Sequence, residues 1–168
     1  MSAGSRERGF TLVGALILIA VLGAGMAAYG EIASQAAQRE KEQELLFVGN
    51  QFRQAIRSYY EQTPGADKRF PQTLDELLLD KRYPMPVRHL RRLYADPMTG
   101  KPDWGIVIAP QGGIMGVHSL SEAAPIKTGR FAVSDSLFEG AGRYSQWQFN
   151  HAPLGVSPLQ DARKTPSG

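Results

Sequence analysis

The sequence predicts an α+β protein in which a long N-terminal helix packs on a small antiparallel β-sheet. No proline occurs between Phe10 and Gln62, and large apolar residues recur in the second half of this stretch at spacings of three and four, as on one face of a helix. Two apolar runs, 104–109 and 114–120, flank the turn sequence Pro110–Gly113, as the strands of a β-hairpin do. A chain of 168 residues is long enough for one such domain plus an extension.

The first thirty residues consist of a short polar start and an apolar run. Residues 1–9 include Arg6 and Arg8, whereas residues 10–30 carry no charge. At about 1.5 Å per residue, a helix of that length crosses the roughly 30 Å hydrocarbon core of a bilayer. We therefore expect one membrane span at 10–30, with the amino end in the cytoplasm and the rest outside. The alternative is a secretory signal cut after Ala27, which would sever the continuing helical pattern.

Residues 31–62 become polar but keep the helical period. The expected core face of this segment consists of Leu45, Val48, Phe52, Ile56 and Tyr59. Arg53, Arg57 and Glu61 lie off this face, and the charged run 38–44 is typical of a solvated helix surface. We expect the helix to end near residue 62, because Thr63-Pro64-Gly65 is a strong stop signal.

The remaining residues predict a globular domain at 63–151. Thr73 followed by Glu76 three residues later resembles the capping box of a short helix. Residues 144–149 alternate large and polar side chains, which favours a third strand beside the hairpin. Residues 152–168 contain few large side chains, so we expect a loose tail there.

The junction between the polar start and the apolar run has a distinctive order. Arg6 and Arg8 precede Gly9, which is followed by Phe10-Thr11-Leu12-Val13 and an uninterrupted aliphatic run. This order resembles the leader and N-terminal helix of type IV pilin-like proteins, which include the pseudopilins of type II secretion. In that family a prepilin peptidase cuts after the glycine and methylates the new amine. The resemblance therefore implies a leader at 1–9, cleavage between Gly9 and Phe10, and a methylated Phe10.

Three motifs of the body occur in an order similar to that of the major pseudopilin group. They are PQTLDELL at 71–78, YADPMTGKPDWGIV at 94–107 and GVHSL at 116–120. That group often carries a calcium site in a loop after the last of these motifs. Here the loop 121–127 has one carboxylate, that of Glu122, and calcium takes six or more oxygen ligands. The resemblance thus allows calcium, but this loop does not favour it, and we expect the chain to have no cofactor or metal.

Gly14 departs from the family pattern. The family usually has a glutamate at the fifth residue after the cut, and this chain has Gly14 there. One interpretation is a small residue that allows close helix packing, as Gly23 and Ala27 also would. The other is an unusual position in a filament, such as a minor subunit or one near the tip.

The residues offer no pattern typical of an enzyme. The chain has no cysteine, which excludes disulfides, thiolate metal sites and cysteine nucleophiles. No phosphate loop, nucleophile elbow, dinucleotide fingerprint or metalloprotease motif occurs in the sequence. His89, His118 and His151 lack metal-ligand spacing, and Asp96, which precedes a proline, is typical of a turn although it could pair with Asp103. We expect a protein that is not an enzyme.

One basic cluster stands out in the body, consisting of Lys81, Arg82, Arg88, Arg91 and Arg92. It could be a solvated surface, or it could bind an anionic partner such as DNA or lipid headgroups. A further alternative is pairing with the carboxylates of a neighbouring subunit at Glu40, Glu42 and Glu44. The net charge of +3 is too small to favour nucleic acid as the partner.

The resemblance also implies a place and a set of partners. It implies a single-pass inner-membrane protein whose C-terminal domain lies in the periplasm and which assembles with itself and with other pseudopilins. The prepilin peptidase, an inner-membrane platform and its ATPase would be further partners. Type II secretion is favoured over a pilus because many pilus subunits close their C-terminal region with a disulfide. The alternatives are a minor subunit of a type IV pilus and a membrane-anchored periplasmic binding domain that acts as a monomer.

Overall fold

A computed structural model describes the backbone of residues 5–153 and the side chains of residues 12–22 and 33–153. The chain divides into two compact units, Met1–Glu40 and Lys41–Gly168. The described part of the first unit is helical throughout. The described part of the second unit contains a helix end, three short strands and three 3₁₀ helices, which makes it a mixed α+β domain as predicted. The tail expected at 152–168 lies almost wholly outside the described residues.

Helix α1 begins at Ser5 and ends at Glu61. Its last turn tightens, because the Thr63 N–H bonds the Tyr60 carbonyl at 3.2 Å. Two residues farther on, Gly65 has a φ of 86°, a left-handed conformation that glycine adopts without strain. The chain therefore turns away from the helix axis at the Thr63-Pro64-Gly65 sequence.

The β-sheet has three antiparallel strands in the order β1-β2-β3. Strand β1 is Gly105–Ile108, β2 is Ile114–His118 and β3 is Phe149–Asn150. The first two form the predicted hairpin, with Gly105 opposite His118 and an irregularity in register between Val107 and Ile108. The predicted α+β class with a small antiparallel sheet is confirmed.

The third strand is shorter than predicted. Tyr144–Gln146 is a 3₁₀ helix, and only Phe149–Asn150 pairs with β2. Tyr144 and Trp147 are both fully buried, and their spacing of three places them on one side of a 3₁₀ turn. The prediction of a strand from 144 was wrong because Tyr144 and Trp147 are three residues apart, as in a 3₁₀ helix. Only Trp147 and Phe149 have the spacing of two that is typical of a strand.

The short helix predicted after Thr73 is a 3₁₀ helix, Leu74–Leu77. The Thr73 side chain makes no capping hydrogen bond, so half of the predicted capping box is absent. Glu76 does reach back, since its carboxylate accepts the Gln72 N–H at 3.1 Å. The same Glu76 oxygen accepts the Tyr59 hydroxyl at 2.6 Å, which ties this short helix to α1.

The core of the second unit lies between the end of α1 and the sheet. All five residues of the predicted core face are buried, which confirms that prediction; they are Leu45, Val48, Phe52, Ile56 and Tyr59. Phe52 packs on Trp104 with ring centroids 5.1 Å apart. A Cβ atom on Gly49 would overlap the Phe149 ring, so glycine lets strand β3 lie directly on the helix.

Candidate functional site

Residues 12–22 form an apolar helical surface in the first unit. Its eight large side chains are each between 55% and 65% exposed; they are Leu12, Val13, Leu16, Ile17, Leu18, Ile19, Val21 and Leu22. Eleven consecutive residues cover three turns of an α-helix, so these side chains point in all directions around the axis. Such a helix is apolar on every side and not on one face, which is typical of a segment surrounded by lipid or by other helices.

Gly14 lies within this apolar surface. A Cβ atom placed on Gly14 would meet nothing within 4 Å among the described residues, which therefore set no steric requirement for glycine there. The expected cleavage and packing residues Gly9, Phe10, Gly23 and Ala27 fall where the structure describes no side-chain surroundings. Within the described residues, no helix combines the length and the apolar character needed to cross a membrane.

A buried carboxylate, Glu42, holds a loop of the second unit onto α1. Glu42 is 3% exposed, and its Oε1 accepts the N–H groups of Ile126 at 2.6 Å and Lys127 at 3.1 Å. The same oxygen accepts the hydroxyl of the fully buried Tyr144 at 2.9 Å. We call these four residues the Glu42 clasp. A buried carboxylate is stable only when donors surround it, and three donors meet that requirement here.

The Glu42 clasp includes Ile126 and Lys127 of the loop 121–127, where the pseudopilin resemblance raised the question of calcium. The backbone of this loop presents N–H donors, which bind anions, and the anion that they bind here is the Glu42 carboxylate of α1. Among the described residues, no group of three or more His, Cys, Asp or Glu side chains is placed to hold a metal ion. Because Glu42 is buried in the clasp, its carboxylate is not available to pair with a neighbouring subunit. Glu40 and Glu44 are exposed and remain available.

A second buried network joins α1 to the segment 80–89. Asp80 is 1% exposed and accepts two bonds from the Arg82 side chain at its Oδ2, at 2.7 and 3.0 Å, together with the Arg82 N–H at Oδ1. His89 contacts Asp80 Oδ2 through Nε2 at 3.2 Å and Ser58 Oγ through Nδ1 at 2.8 Å. Burial by itself raises the pKa of Asp80, but the hydrogen bonds from Arg82 and His89 outweigh it and lower the pKa to about 2.

The order Ser58, His89, Asp80 is that of a nucleophile, a base and an orienting carboxylate. The chemistry of the groups favours a structural role instead. Asp80 is already neutralised by Arg82, and the His89 side chain is 1% exposed with both ring nitrogens engaged inside the protein. The Ser58 hydroxyl also accepts a bond from the Gln62 amide at 3.1 Å. These groups therefore hold the end of α1 in place.

Arg82 completes this network at the end of the helix. Its guanidinium lies 3.5 Å from the Tyr59 ring centroid and donates to the Tyr59 carbonyl at 2.9 Å. It also donates to Thr63 Oγ1 at 2.8 Å, so one cation satisfies acceptors at the helix C-terminus. Burial raises the pKa of the Tyr59 hydroxyl, and its hydrogen bond to Glu76 raises it further.

An open pocket of about 540 Å³ lies beside these residues. Its lining includes both carboxylates and cations: Tyr59, Thr73, Asp75, Glu76, Leu79, Asp80, Lys81 and Arg82. The groups best suited to bind a ligand, Asp80, Arg82, Glu76 and Tyr59, already bond one another. A ligand would have to displace those bonds. The lining residues are therefore better suited to hold the end of α1 in place than to bind a ligand.

The predicted basic cluster is only partly available at the surface. Arg82 is directed inward, which corrects its inclusion in that cluster. Lys81, Arg88, Arg91 and Arg92 are exposed, and none of these four makes an ion pair with another described residue. The Arg92 guanidinium lies 4.9 Å from the Tyr94 ring centroid.

The other residues considered as sites are not brought together. His118 bonds the Ser119 carbonyl at 2.9 Å, while His151 packs on Tyr60 with centroids 5.8 Å apart, and burial lowers the His151 pKa. Asp96 is fully buried, where it accepts the Ser119 hydroxyl at 2.7 Å, and Asp103 is exposed. Asp96 is thus a turn residue that anchors the end of β2.

Sequence reasoning also missed a buried ion pair between Arg53 and Asp135. Arg53 lies off the core face of α1, yet its side chain is 13% exposed and donates to Asp135 at 2.6 Å. Its guanidinium also lies 5.5 Å from the Phe149 ring centroid. The sequence did indicate that Glu42 is buried, because it lies three residues before Leu45 and so continues the core face. No comparable local pattern indicates the burial of Arg53 or Asp135.

Comparisons of the chain with protein families, with curated proteins and with solved structures gave no match.

Proposed function

We propose that this chain is a pilin-like subunit of the pseudopilin type, which assembles through its N-terminal helix into an envelope-spanning filament that drives type II protein secretion. In this proposal residues 1–9 are removed by a prepilin peptidase, Phe10 becomes the methylated amino end, and the helix from Phe10 first anchors the subunit in the inner membrane. The body after residue 62 lies in the periplasm. The role is mechanical and not enzymatic.

The observation that carries this proposal is the apolar surface of residues 12–22. Eight aliphatic side chains, each more than half exposed, represent a large unfavourable contact with water, since apolar surface costs about 25 cal/mol per Å². A partner that covered one face of this helix would leave its other apolar faces exposed to water. A bilayer before assembly and a bundle of like helices after assembly would each cover the whole circumference.

The sequence at the start of the helix supports the same proposal. Gly9 and Phe10, placed after two arginines and before the aliphatic run, resemble the prepilin peptidase site. Small residues at Gly14, Gly23 and Ala27 would allow close approach of neighbouring helices. Extraction of such a helix from lipid requires work, so the proposal includes an inner-membrane platform with an ATPase as partners.

Two measurements test the proposal. Co-expression with a prepilin peptidase, followed by intact mass and N-terminal sequencing, should give a chain that starts at Phe10 with one added methyl group. Gly9→Leu should block the cut, and the matched change Gly4→Leu should not. A start near Ala28 would mean an ordinary secretory signal, and an intact Met1 would mean a simple anchor; either result refutes the proposed assembly pathway.

Assembly itself is tested by cross-linking a single introduced cysteine. The chain has no native cysteine, so Val21→Cys places one unique thiol on the apolar surface. A ladder of cross-linked species in membranes is expected, while Ser134→Cys on the exposed surface of the body provides the control. A monomer band alone would favour the monomeric binding domain. A minor subunit of a type IV pilus would give ladders that depend on a pilus subunit and not on secretion components.

A further inference from the structure

The segment 81–86 forms a small loop with an exposed apolar tip. Asp80 and Val87 pair as an isolated antiparallel bridge, with the Asp80 N–H donating to the Val87 carbonyl at 2.8 Å. Between them Met85 is 80% exposed, and both of its neighbours, Pro84 and Pro86, are exposed as well. A single exposed apolar side chain is common on protein surfaces, so the exposure of Met85 gains meaning only together with the charges near it.

The base of this loop is held firmly. Asp80 is fixed by Arg82 and His89, and the Arg82 side chain is directed back to the end of α1. The Tyr83 hydroxyl donates to the Gln62 carbonyl. The two prolines restrict the backbone on either side of Met85. The tip is therefore presented in a defined orientation and does not collapse onto the core.

Basic residues lie close to the tip along the chain. Lys81 and Arg88 flank the bridge, and Arg91 and Arg92 follow within four residues. All four side chains are exposed, and no acidic residue occurs between 81 and 95. None of the four pairs with a carboxylate in the part of the chain that the structure describes.

We infer that this loop, with its basic flanks, is a docking surface for an anionic lipid headgroup layer. At such a layer an apolar side chain enters the acyl boundary, while arginine and lysine remain with the phosphates. An exposed apolar tip with basic residues on either side of it in the chain fits this soft surface, whereas an acidic protein face would need a matching cavity for Met85. The inference concerns a contact of the body and does not depend on the proposed filament.

A probe on the tip tests this contact in the full chain. Met85→Cys gives one thiol for an environment-sensitive fluorophore, because the chain has no other cysteine. The labelled protein is reconstituted into vesicles of phosphatidylcholine alone or of phosphatidylcholine mixed with phosphatidylglycerol. We expect a blue shift and protection from an aqueous quencher only on the mixed vesicles, with both effects reversed by high salt.

Charge reversal identifies the groups responsible. Each basic residue near an anionic surface contributes about a fivefold change in binding, so Arg88→Glu with Arg91→Glu should weaken the probe's contact by at least twenty-fivefold. Lys101→Glu with Arg130→Glu makes the same change in net charge elsewhere on the surface and should leave the contact intact. Circular dichroism of both variants should match the parent, since all four residues are exposed.

Two outcomes would overturn the inference. The first is a probe equally exposed on both kinds of vesicle. The second is a blue shift that occurs on phosphatidylcholine alone and grows with protein density, which would identify a second copy of the chain as the partner. Flotation of the protein with phosphatidylcholine vesicles reports separately whether the apolar helix inserts, so failure of the anchor and failure of the loop contact are distinguishable.

Discussion

Substitution of Glu42 tests whether the clasp stabilises the second unit. Glu42→Ala removes one carboxylate and leaves three donors, those of Ile126, Lys127 and Tyr144. The Tyr144 hydroxyl is fully buried, so its loss of a partner should cost about 1–3 kcal/mol. The two N–H groups belong to half-buried residues that water can reach, so each should cost about 0.5–1 kcal/mol.

These terms predict a loss of about 3 kcal/mol in the free energy of unfolding, or about 10 °C in Tm for a domain of this size. Tryptophan fluorescence during thermal unfolding of the full chain in detergent reports it directly, because Trp147 packs edge-on against Tyr144 with centroids 5.3 Å apart. Hydrogen exchange supplies a local assay. The N–H groups of Ile126 and Lys127 should lose protection in the variant while the amides of β2 keep theirs.

Glu44→Ala is the matched control for this experiment. Glu44 lies two residues farther along the same helix, is exposed, and experiences the same change in helix propensity on substitution. Its Tm should stay within about 2 °C of the parent. The reasoning fails if Glu42→Ala is no more destabilising than Glu44→Ala, or if the amides of Ile126 and Lys127 stay protected.

Three further perturbations address the second unit. Folding lowers the pKa of Asp80 from 3.8 to about 2, so the unfolded chain binds the proton more tightly than the folded chain does. About 2 kcal/mol of folding free energy should therefore be lost as the pH falls from 5 to 2. In chemical denaturation, the stability of Asp80→Asn should fall less steeply over this pH range. Removing either Arg53 or Asp135 leaves a buried charge unpaired and should cost about 3 kcal/mol, with coupling measured in a double-mutant cycle. Gly49→Ala should cost about 1–3 kcal/mol in urea unfolding because its Cβ would overlap the Phe149 ring.

Each of these predictions has a control within the chain. The Arg57–Glu61 pair is more than half exposed on both sides, so its cycle should give less than about 0.5 kcal/mol. Gly14→Ala meets no atom within 4 Å in the part of the chain that the structure describes and should not lower the stability of the body. Equal effects at the buried and exposed pairs, a steep acid limb that persists in Asp80→Asn, or a neutral Gly49→Ala would each contradict the contact invoked.

The sequence allowed prediction of those features that depend on local periodicity. The core face from Leu45 to Tyr59 and the hairpin around Pro110–Gly113 each repeat a pattern over a few residues, and both occur as expected. The 3₁₀ helix at Tyr144–Gln146 was missed because large residues in a short window fit a period of two nearly as well as three.

The partners of the buried charges could not be predicted in the same way. Glu42 continues the core face three residues before Leu45, but it lies in a run of charged residues that is typical of a solvated surface, and Arg53, next to Phe52, lies off the core face. Their partners are 84 and 82 positions away along the chain, so no local pattern pairs them. Arg82 looked like one more surface cation, although it donates to the Tyr59 carbonyl and the Thr63 hydroxyl at the end of α1, which are 23 and 19 positions away.

The clasp between Glu42 and Tyr144 has a consequence for how the chain is made. The two residues are 102 positions apart, and ribosomes add about 5–20 residues per second. Tyr144 is therefore synthesised about 5–20 s after Glu42. For most of that interval the face from Leu45 to Tyr59 has no sheet to cover it, because β1 begins only at Gly105. Closure of the clasp therefore follows delivery of Tyr144, and a factor that shields the nascent helix would act within this window.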